Sequence, residues 1–538
     1  MLMAIQERHG WLPREELEAL ARDQKRPLYE IEGLVSFYPH FLTEPPAGVT
    51  VGACRDLSCW LKGSEESIRR LQQRYDASDD VDVVQISCPG RCDIAPAATV
   101  DDRPVRVEDV DAAVDGRRRG DSDLGAVVAY RPPDGWPNDP YAPGEQRYQA
   151  LRALLSGEFT PEQVLDNLQR SGLRGMGGAG FPTGKKWELV RAAEVDGDGV
   201  KYAICNADES EPGTFKDRQL LAEQPHLVLE GMLMGMVVTG AEEGWVFIRH
   251  EYGPEEAVLR AEIEALRAEG LVGDDVLGTG RRLSLDIFTS PGGYILGEET
   301  ALIECMEGHR GEPRNKPPFP GTYGLWGRPT LMNSVETFAD VPIIVSRGVE
   351  WWQEQGVNGS HGLKFFAVSG HVEKPGVYCV PMGTTIRDLL DLAGGVAGGA
   401  ALDSVQPGGA SSNFLGPEHL DLPLDFGTLA DAGSMLGSGA VVAIAEGTDA
   451  LAAATNVLRF FRNESCGKCV PCRVGSAKAH DLLTDTLRSG GALDDERRSR
   501  LLELEAVMRK TSICGLGQVA MGPVVSVLGR GSEPPSAP

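Results

Sequence analysis

The 538-residue chain has no run of about eighteen apolar residues, the length needed to cross a bilayer core, so no transmembrane helix is expected. Its opening residues, Met1 into Ala4-Ile5-Gln6-Glu7-Arg8, lack the apolar core and small-residue cleavage site of a secretory signal. Positive charge is also short: 52 Lys and Arg stand against 79 Asp and Glu, a formal net charge of -27. A polyanion of that size is repelled by nucleic acid and by anionic lipid surfaces, so neither is expected as a partner. These absences predict a cytoplasmic protein with no direct membrane insertion. Hydrophobic content of 41% and charged content of 24% are ordinary for a globular protein. The length exceeds what one core supports, and three or four domains are expected.

Glycine is abundant in one place. Gly172 to Trp187 reads Gly-Leu-Arg-Gly-Met-Gly-Gly-Ala-Gly-Phe-Pro-Thr-Gly-Lys-Lys-Trp, six glycines in sixteen residues. Each glycine costs backbone entropy inside a helix or strand, so the stretch is neither. It can bring bare N–H groups up to a phosphate or a flat ring, and Arg174, Lys185 and Lys186 add positive charge. It reads as a nucleotide-cofactor loop. Gly175-Met-Gly177-Gly-Ala-Gly180 formally matches G-x-G-x-x-G, but the dinucleotide fingerprint needs a strand just before it and a helix opening on it. Here a helical pattern precedes, opened by Thr160 as N-cap, Pro161 at N1 and Gln163 as capping-box partner, and Phe181-Pro182 follows. A standard Rossmann unit is disfavoured, while the phosphate-cradling physics remains.

A strand at Lys201–Cys205 runs into Asn206-Ala-Asp208-Glu209-Ser210-Glu211. Polar residues at a strand's carboxyl end are where open α/β sheets bind ligands. The alternative, an ordinary acidic turn, is disfavoured by two further polar stretches, Gly292–Thr300 and Arg314–Pro320 on to Asn333–Thr337. Leu227–Val238 reads as a core helix and Trp245–Arg249 as a core strand.

Of eleven cysteines, eight form two sets. Clustered cysteines in a reducing compartment read as metal ligands before disulfides. Residues 1–40 look helical. A strand ending at Cys54, a helix at Glu65–Tyr75 and a strand at Val81–Ile86 then deliver Cys54-x4-Cys59 and Cys88-x3-Cys92. Spacing leaves zinc and [2Fe–2S] both open for this set. Cys466, Cys469 and Cys472 follow one another at C-x2-C-x2-C, with Cys514 the natural fourth ligand after a helical hairpin. So short a loop suits a [4Fe–4S] cube and strains a zinc tetrahedron. Cys205, Cys305 and Cys379 read as small buried hydrophobes. Residues 114–147, rich in Pro, Gly and Asp after Arg117-Arg118-Arg119, read as a solvated linker. Residues 363–446, with strands at Phe365–Ser369 and Val377–Val380 and a helix at Thr385–Ala393, resemble a ubiquitin-like β-grasp module. The tail is helical from about Asn456, and the last residues read as disordered.

Gly-Leu-Arg-Gly-x-Gly-Gly-Ala-Gly-Phe-Pro-Thr-Gly, Asn-Ala-Asp-Glu-Ser-Glu-Pro-Gly, Tyr-x-x-Gly-Glu-Glu-Thr and Glu-Ser-Cys-Gly-x-Cys-x-Pro-Cys together resemble the flavin-containing, NADH-oxidising subunit of respiratory complex I. Its relatives occur in NAD-reducing hydrogenases and NAD-dependent formate dehydrogenases. The resemblance covers roughly residues 145–530, and residues 1–110 resemble the thioredoxin-like [2Fe–2S] subunit of the same machines, with the first helix shortened. It implies an α/β multidomain protein. The units expected are a thioredoxin-like [2Fe–2S] domain (1–113), a linker (114–147), a Rossmann-like FMN/NAD-binding domain (148–350), a β-grasp (SLBB) domain (351–446), a helical [4Fe–4S] domain (447–530) and a tail (531–538).

It further implies that Arg174, Gly175, Gly177, Lys186, Asn206, Asp208, Ser210, Tyr294, Glu298 and Asn333 face FMN. Phe181, Lys186, Glu211, Glu299 and Phe319 would face NAD. The family has a second Asn where this chain has Ser334. A nicotinamide exchanges two electrons as hydride and clusters take one at a time, so a flavin is needed between them. The hydride step itself needs no protein acid or base, and no catalytic residue is named in that sense. Glu211 and Glu299 near the ribose predict NAD over NADP. The fusion of the two modules, with no extra ferredoxin-like extension, predicts the diaphorase (β) subunit of an NAD-dependent formate dehydrogenase. Its catalytic α subunit would carry molybdenum or tungsten and further clusters. The alternatives are the diaphorase subunit of an NAD-reducing hydrogenase, a complex I subunit, an autonomous NADH:acceptor oxidoreductase, and a zinc-stabilised scaffold with no redox activity.

Overall fold

The computed structural model describes residues 1–121, 135–195, 199–490 and 493–528. The middle of the expected linker and the whole of the expected disordered tail lie outside the described residues.

Three helices, Leu2–His9, Arg14–Asp23 and Leu28–Val35, precede the first sheet, and they bury the predicted Leu17, Leu20 and Ala21 and then Ile31, Leu34 and Val35. That sheet contains β1 (Val49–Cys54), β2 (Val81–Ile86), β3 (Ala97–Val100) and β4 (Arg103–Arg106) in the order β2-β1-β3-β4. The β1–β2 pair is parallel and the other pairs are antiparallel. The helix Ser64–Tyr75 turns Ile68, Leu71 and Tyr75 inward, as its spacing predicts. Parallel pairing sets the ends of β1 and β2 side by side, Cys54 opposite Ile86, so both cysteine pairs emerge at one edge.

The second sheet is wholly parallel: β5 (Lys201–Ala207), β6 (Ala241–Arg249), β7 (Ser284–Ser290) and β8 (Thr330–Ser334), in the order β7-β6-β5-β8. Connections leave β5 toward one edge and return to its other side at β8. The carboxyl ends of β5 and β8 therefore flank the switch point where open α/β sheets hold ligands. The helix Pro225–Thr239 is buried on every face. Its Gly231 lies against the helix Val335–Arg347 so closely that a Cβ there would sit 1.9 Å from the Phe338 carbonyl oxygen. The glycine loop follows the helix Pro161–Ser171, not a strand, and that helix carries the predicted capping box: Thr160 Oγ1 accepts from Gln163 N and Gln163 Oε1 accepts from Thr160 N.

The third sheet is mixed, with β9 (Leu363–Gly370), β10 (Gly376–Pro381), β11 (Leu402–Gln406) and β12 (Ala440–Ala445) in the order β10-β9-β12-β11. Thr385 caps the helix Ile386–Leu392, accepting from Asp388 N. The first helix of the C-terminal bundle, Ala450–Asn463, lies inside the expected 447–530 unit, starts ahead of the Asn456 read from the sequence and is capped by Asp449 on Ala452 N. Its first turn is alanine-rich and has no apolar rhythm to read; helix propensity and the cap start it.

The flanks of the expected linker are largely exposed but carry tertiary contacts. Arg117 and Arg118 pair with Asp101 and Asp80 at 2.7 and 2.8 Å. Trp136 packs its ring 5.3 Å from Phe365 and donates its indole N–H to Glu223, and the Tyr141 hydroxyl donates to Glu230. Two aromatic anchors tie down a stretch whose average composition is that of a loop.

Candidate functional site

The carboxyl end of β8 receives the glycine loop. Met176 N donates to Thr337 Oγ1 at 2.9 Å, and Thr337 Oγ1 lies 2.8 Å from Ser334 Oγ. A Cβ on Gly177 would lie 3.0 Å from the Ser334 Cβ, so the loop approaches with bare backbone. Lys186 Nζ donates to Met332 O at 2.8 Å, and burial lowers its pKa against the opposing pull of Glu299. Across the crevice, Asn206 lies beside Ser334 in register and its Nδ2 donates to Gly297 O. Ser210 Oγ donates to Asp208 Oδ2 at 3.2 Å. Gly175, Gly177, Lys186, Asn206, Asp208, Ser210, Asn333 and Ser334 thus come together around one crevice.

That crevice has unmet polar atoms. Asp208 Oδ1 and Asn333 Oδ1 are buried without hydrogen-bond partners. Such atoms are uncommon and costly, and both are acceptors that a ligand's hydroxyl groups would satisfy. Burial pushes Asp208 up to about 8, against the nearby Arg249. The residues fit a flavin mononucleotide: bare amides, a lysine, and acceptors for a polyhydroxyl chain.

Tyr294 closes one side. Its ring lies 5.0 Å from that of Phe460, and burial, then Glu211, Cys514 and Glu464 around it, push its hydroxyl well above the usual range. Phe181 and Phe319 are 44% and 58% exposed, two large aromatic rings left on the surface. Glu211 is buried and accepts from Ser411 N of the β-grasp module at 2.8 Å. Glu299 is paired with Lys316 at 3.0 Å.

Arg174 and Glu298 complete the predicted flavin set. Arg174 donates from Nε to Gly180 O at 2.6 Å and lies with its guanidinium 4.6 Å from the Phe426 ring, toward the β-grasp module. Glu298 caps the helix Glu299–Met306, accepting from Thr300 N and Ala301 N with Oε2, while Oε1 takes Lys316. Each makes these contacts within the chain, as Lys186 does with Met332 O.

The first cysteine set is wholly buried and unbridged: Cys88 Sγ and Cys92 Sγ are 3.3 Å apart, beyond the roughly 2.05 Å of a disulfide. Neighbouring Cys59 and Cys88 and then burial push the Cys54 thiol up, while hydrogen bonding with Cys54 and Cys92 moves Cys88 down, so these thiols lie close enough to share protons. Arginines from the parallel-sheet unit grip the Cys88–Cys92 loop. Arg249 donates to Cys88 O at 2.9 Å, Arg218 to Gly90 O and Asp93, and Arg91 within the loop pairs with Glu255. In the second set Cys466 leads, Cys469 stands just before the helix Val470–Arg488, Cys472 lies in its first turn and Cys514 stands just before the helix Gly515–Val519. Cys472 is buried and the other three are half-buried. Burial pushes Cys472 up to about 11, with Cys469 and Cys466 adding to it. Of the solitary cysteines, Cys205 and Cys305 are buried as expected and Cys379 only half so.

Lys316, Arg218, Arg249 and Glu464 escape sequence reasoning, as does a buried ionic group in which Lys216 and Lys364 both bind Glu336, at 2.8 and 2.7 Å.

Four family models match the chain. They are the Nuo51 FMN-binding domain over residues 168–343, the NADH-ubiquinone oxidoreductase-F iron-sulfur binding region over 452–532, the thioredoxin-like [2Fe-2S] ferredoxin over 1–114 and the SLBB domain over 365–410. The F subunit of the NADH-quinone oxidoreductase of Aquifex aeolicus is 43% identical over 374 residues, 69% of this chain and 84% of that protein. The HndC subunit of the NADP-reducing hydrogenase of Solidesulfovibrio fructosivorans is 40% identical over 382 residues, 71% and 76% of the two chains. A crystal structure of NAD+-reducing [NiFe]-hydrogenase in the H2-reduced state superposes with a TM-score of 0.87 at 31% identity, covering 98% of this chain and 91% of that one. The thioredoxin-like, FMN-binding, SLBB and iron–sulfur regions stand in the order expected, and iron–sulfur displaces zinc for both cysteine sets.

Proposed function

The chain belongs to the family of NADH-quinone oxidoreductase F subunits, and from that premise we propose that it is the diaphorase (β) subunit of an NAD-dependent formate dehydrogenase. At the coarser level it is an NAD-, FMN- and iron–sulfur-dependent oxidoreductase subunit of a multi-subunit complex. Bound FMN supplies the chemistry that joins two-electron hydride exchange with NAD+/NADH to one-electron exchange with clusters.

The observation that carries the residue assignment is the pair of unpartnered buried atoms, Asp208 Oδ1 and Asn333 Oδ1, near a glycine loop whose Gly177 meets Ser334 and whose Gly175 donates its N–H to Phe181 O. In this reading Asp208, Asn333, Gly175 and Gly177, with Lys186, Asn206, Ser210, Tyr294 and Ser334, seat the flavin. Arg174 and Glu298 face the flavin as well, Arg174 while donating from Nε to Gly180 O and Glu298 while capping the helix Glu299–Met306. Phe181 and Phe319 clamp the dinucleotide from the rim, and Glu211 and Glu299 face its ribose. Cys54, Cys59, Cys88 and Cys92 hold the [2Fe–2S] cluster, and Cys466, Cys469, Cys472 and Cys514 the [4Fe–4S] cluster. The complex acts in the cytoplasm; among the described residues no helix is long and apolar enough to cross a membrane.

The second reading of the partner is a hydrogenase. It is favoured by the likeness to the NAD+-reducing [NiFe]-hydrogenase chain along nearly all of both lengths, which also means that fusion of the modules does not separate the two readings. Native purification with metal and flavin analysis separates them. A molybdenum- or tungsten-containing partner is expected, and a nickel-containing partner without either metal overturns the formate assignment and leaves the diaphorase role standing.

A further inference from the structure

We propose that Glu464 is a positioning residue that couples the flavin loop to both cluster loops through a single carboxylate. Its Oε1 accepts from the Ser87 hydroxyl at 2.9 Å, and its Oε2 accepts from the Tyr294 backbone N–H at 2.8 Å. Ser87 precedes Cys88, Tyr294 stands in the flavin loop, and Glu464 lies two residues before Cys466. The partners are 377 and 170 residues away in sequence, so no local chain geometry would otherwise hold these segments in register.

The surroundings point the same way. The helix that ends at Asn463 is fastened to the first cysteine loop, with Asn456 and Arg459 both donating to Arg55 O at 3.0 and 2.7 Å. From the same helix, the rings of Phe460 and Phe461 lie 5.0 and 6.1 Å from that of Tyr294. Packing thus brings the three segments near one another, and Glu464 sets their register through hydrogen bonds to a charged acceptor. It touches no reacting atom. Its effect runs through the loops that carry Cys88, Cys466 and Tyr294, and the inference rests on reading both cysteine sets as cluster ligands.

The test uses the full chain with its cofactors, and compares Glu464→Gln, Glu464→Ala and Ser87→Ala by electron paramagnetic resonance and redox titration. Glutamine keeps both bonds, since its amide oxygen accepts from Tyr294 N and its amide nitrogen donates to the Ser87 oxygen. Glu464→Gln should therefore keep wild-type line shapes at both clusters and wild-type rates of cluster reduction by NADH. Glu464→Ala should change both line shapes and slow that reduction on the order of tenfold, the weight of about one charge-assisted hydrogen bond. Ser87→Ala should change the [2Fe–2S] line shape alone. The midpoint potentials of both clusters should rise in both Glu464 variants, because both lose a nearby negative charge. Unmoved midpoints at either cluster, or a glutamine variant as impaired as alanine, overturn the role of Glu464. If alanine does not fold, the glutamine and Ser87 variants still decide it. A wild-type chain without the two cluster signals overturns the ligand reading instead.

Discussion

Replacing Arg218 by alanine should loosen the N-terminal cysteine loop from the flavin crevice, at a cost that follows from the contacts. Arg218 Nη1 donates to Gly90 O at 2.9 Å and to Asp93 Oδ1 at 3.1 Å, and Nη2 donates to Asp93 Oδ2 at 2.8 Å. The two side chains are 2% and 5% exposed. The guanidinium also stacks 5.3 Å from the Phe215 ring. Removing one partner of such a pair leaves a buried carboxylate uncompensated, which costs about 3–5 kcal/mol. That is roughly a hundredfold to a few thousandfold in the population of the docked loop. Room for rearrangement is small, because a Cβ on Gly90 would lie 2.2 Å from the Tyr252 hydroxyl oxygen. Arg249 and Arg91 grip the same loop, so effects at the three arginines will not add.

The assay is limited proteolysis together with retention of the [2Fe–2S] signal, since a chain of several units has no single unfolding free energy. Arg218→Ala should be cleaved faster and lose the signal on mild warming. Arg218→Lys, which keeps the charge and loses the fork, should fall between. Arg387→Ala, which removes a solvent-exposed pair with Asp421, is the control and should change nothing measurable. Cleavage and signal retention within twofold of wild type for Arg218→Ala would refute the reasoning.

Gly177→Ala should reduce bound flavin with little change in melting temperature, because its Cβ would press on Ser334 at 3.0 Å in the crevice and nowhere in the core; flavin per chain checks it, and full occupancy counts against the cradle. Glu299→Gln should raise kcat/KM with NADPH about tenfold, since removing one like charge at several ångströms relieves on the order of 1–2 kcal/mol at a partly exposed site. Comparable wild-type turnover of NADH and NADPH would show that neither carboxylate discriminates. The His40 ring lies 4.2 Å from that of His250, tilted by 44°, and burial and then that neighbour, against Glu251, lower His40 from 6.5 to about 4. A folded value below the unfolded one means that the neutral ring's contribution is intact above pH 6.5 and is lost as pH falls through about 4, at most about 3 kcal/mol. Proteolysis of the N-terminal helices should therefore quicken between pH 7 and 4.5, less so in His40→Phe, and an equal acceleration in both would remove His40 from the account.

Much of the local structure is legible in the residues. The Thr160–Gln163 capping box, the helix ending at Tyr75 and the strand entering Asn206 stand where spacing puts them, because caps and apolar rhythm act over a few residues. The contents of the crevice are only partly so. Arg174 has the charge expected of a phosphate ligand, and nothing near it in sequence announces that its guanidinium lies over the Phe426 ring. Glu298 is drawn to the N–H groups of the helix that it starts. The flanks of the 114–147 stretch read as solvated because proline and glycine dominate there, while Trp136 and Tyr141 find distant partners.

By itself the sequence determined the two cysteine sets, the glycine loop and the acceptors at the strand ends, since each is a property of residue type and short spacing. Tertiary structure alone decided that β5 and β8 lie side by side, that arginines of one sheet grip the cysteine loop of another, and that Glu464 reaches Ser87 and Tyr294 together. The physical reason is one of range. Helix caps and periodicity are short-range effects, whereas the partner of a buried charge is whichever group the packed chain sets within about 3 Å of it.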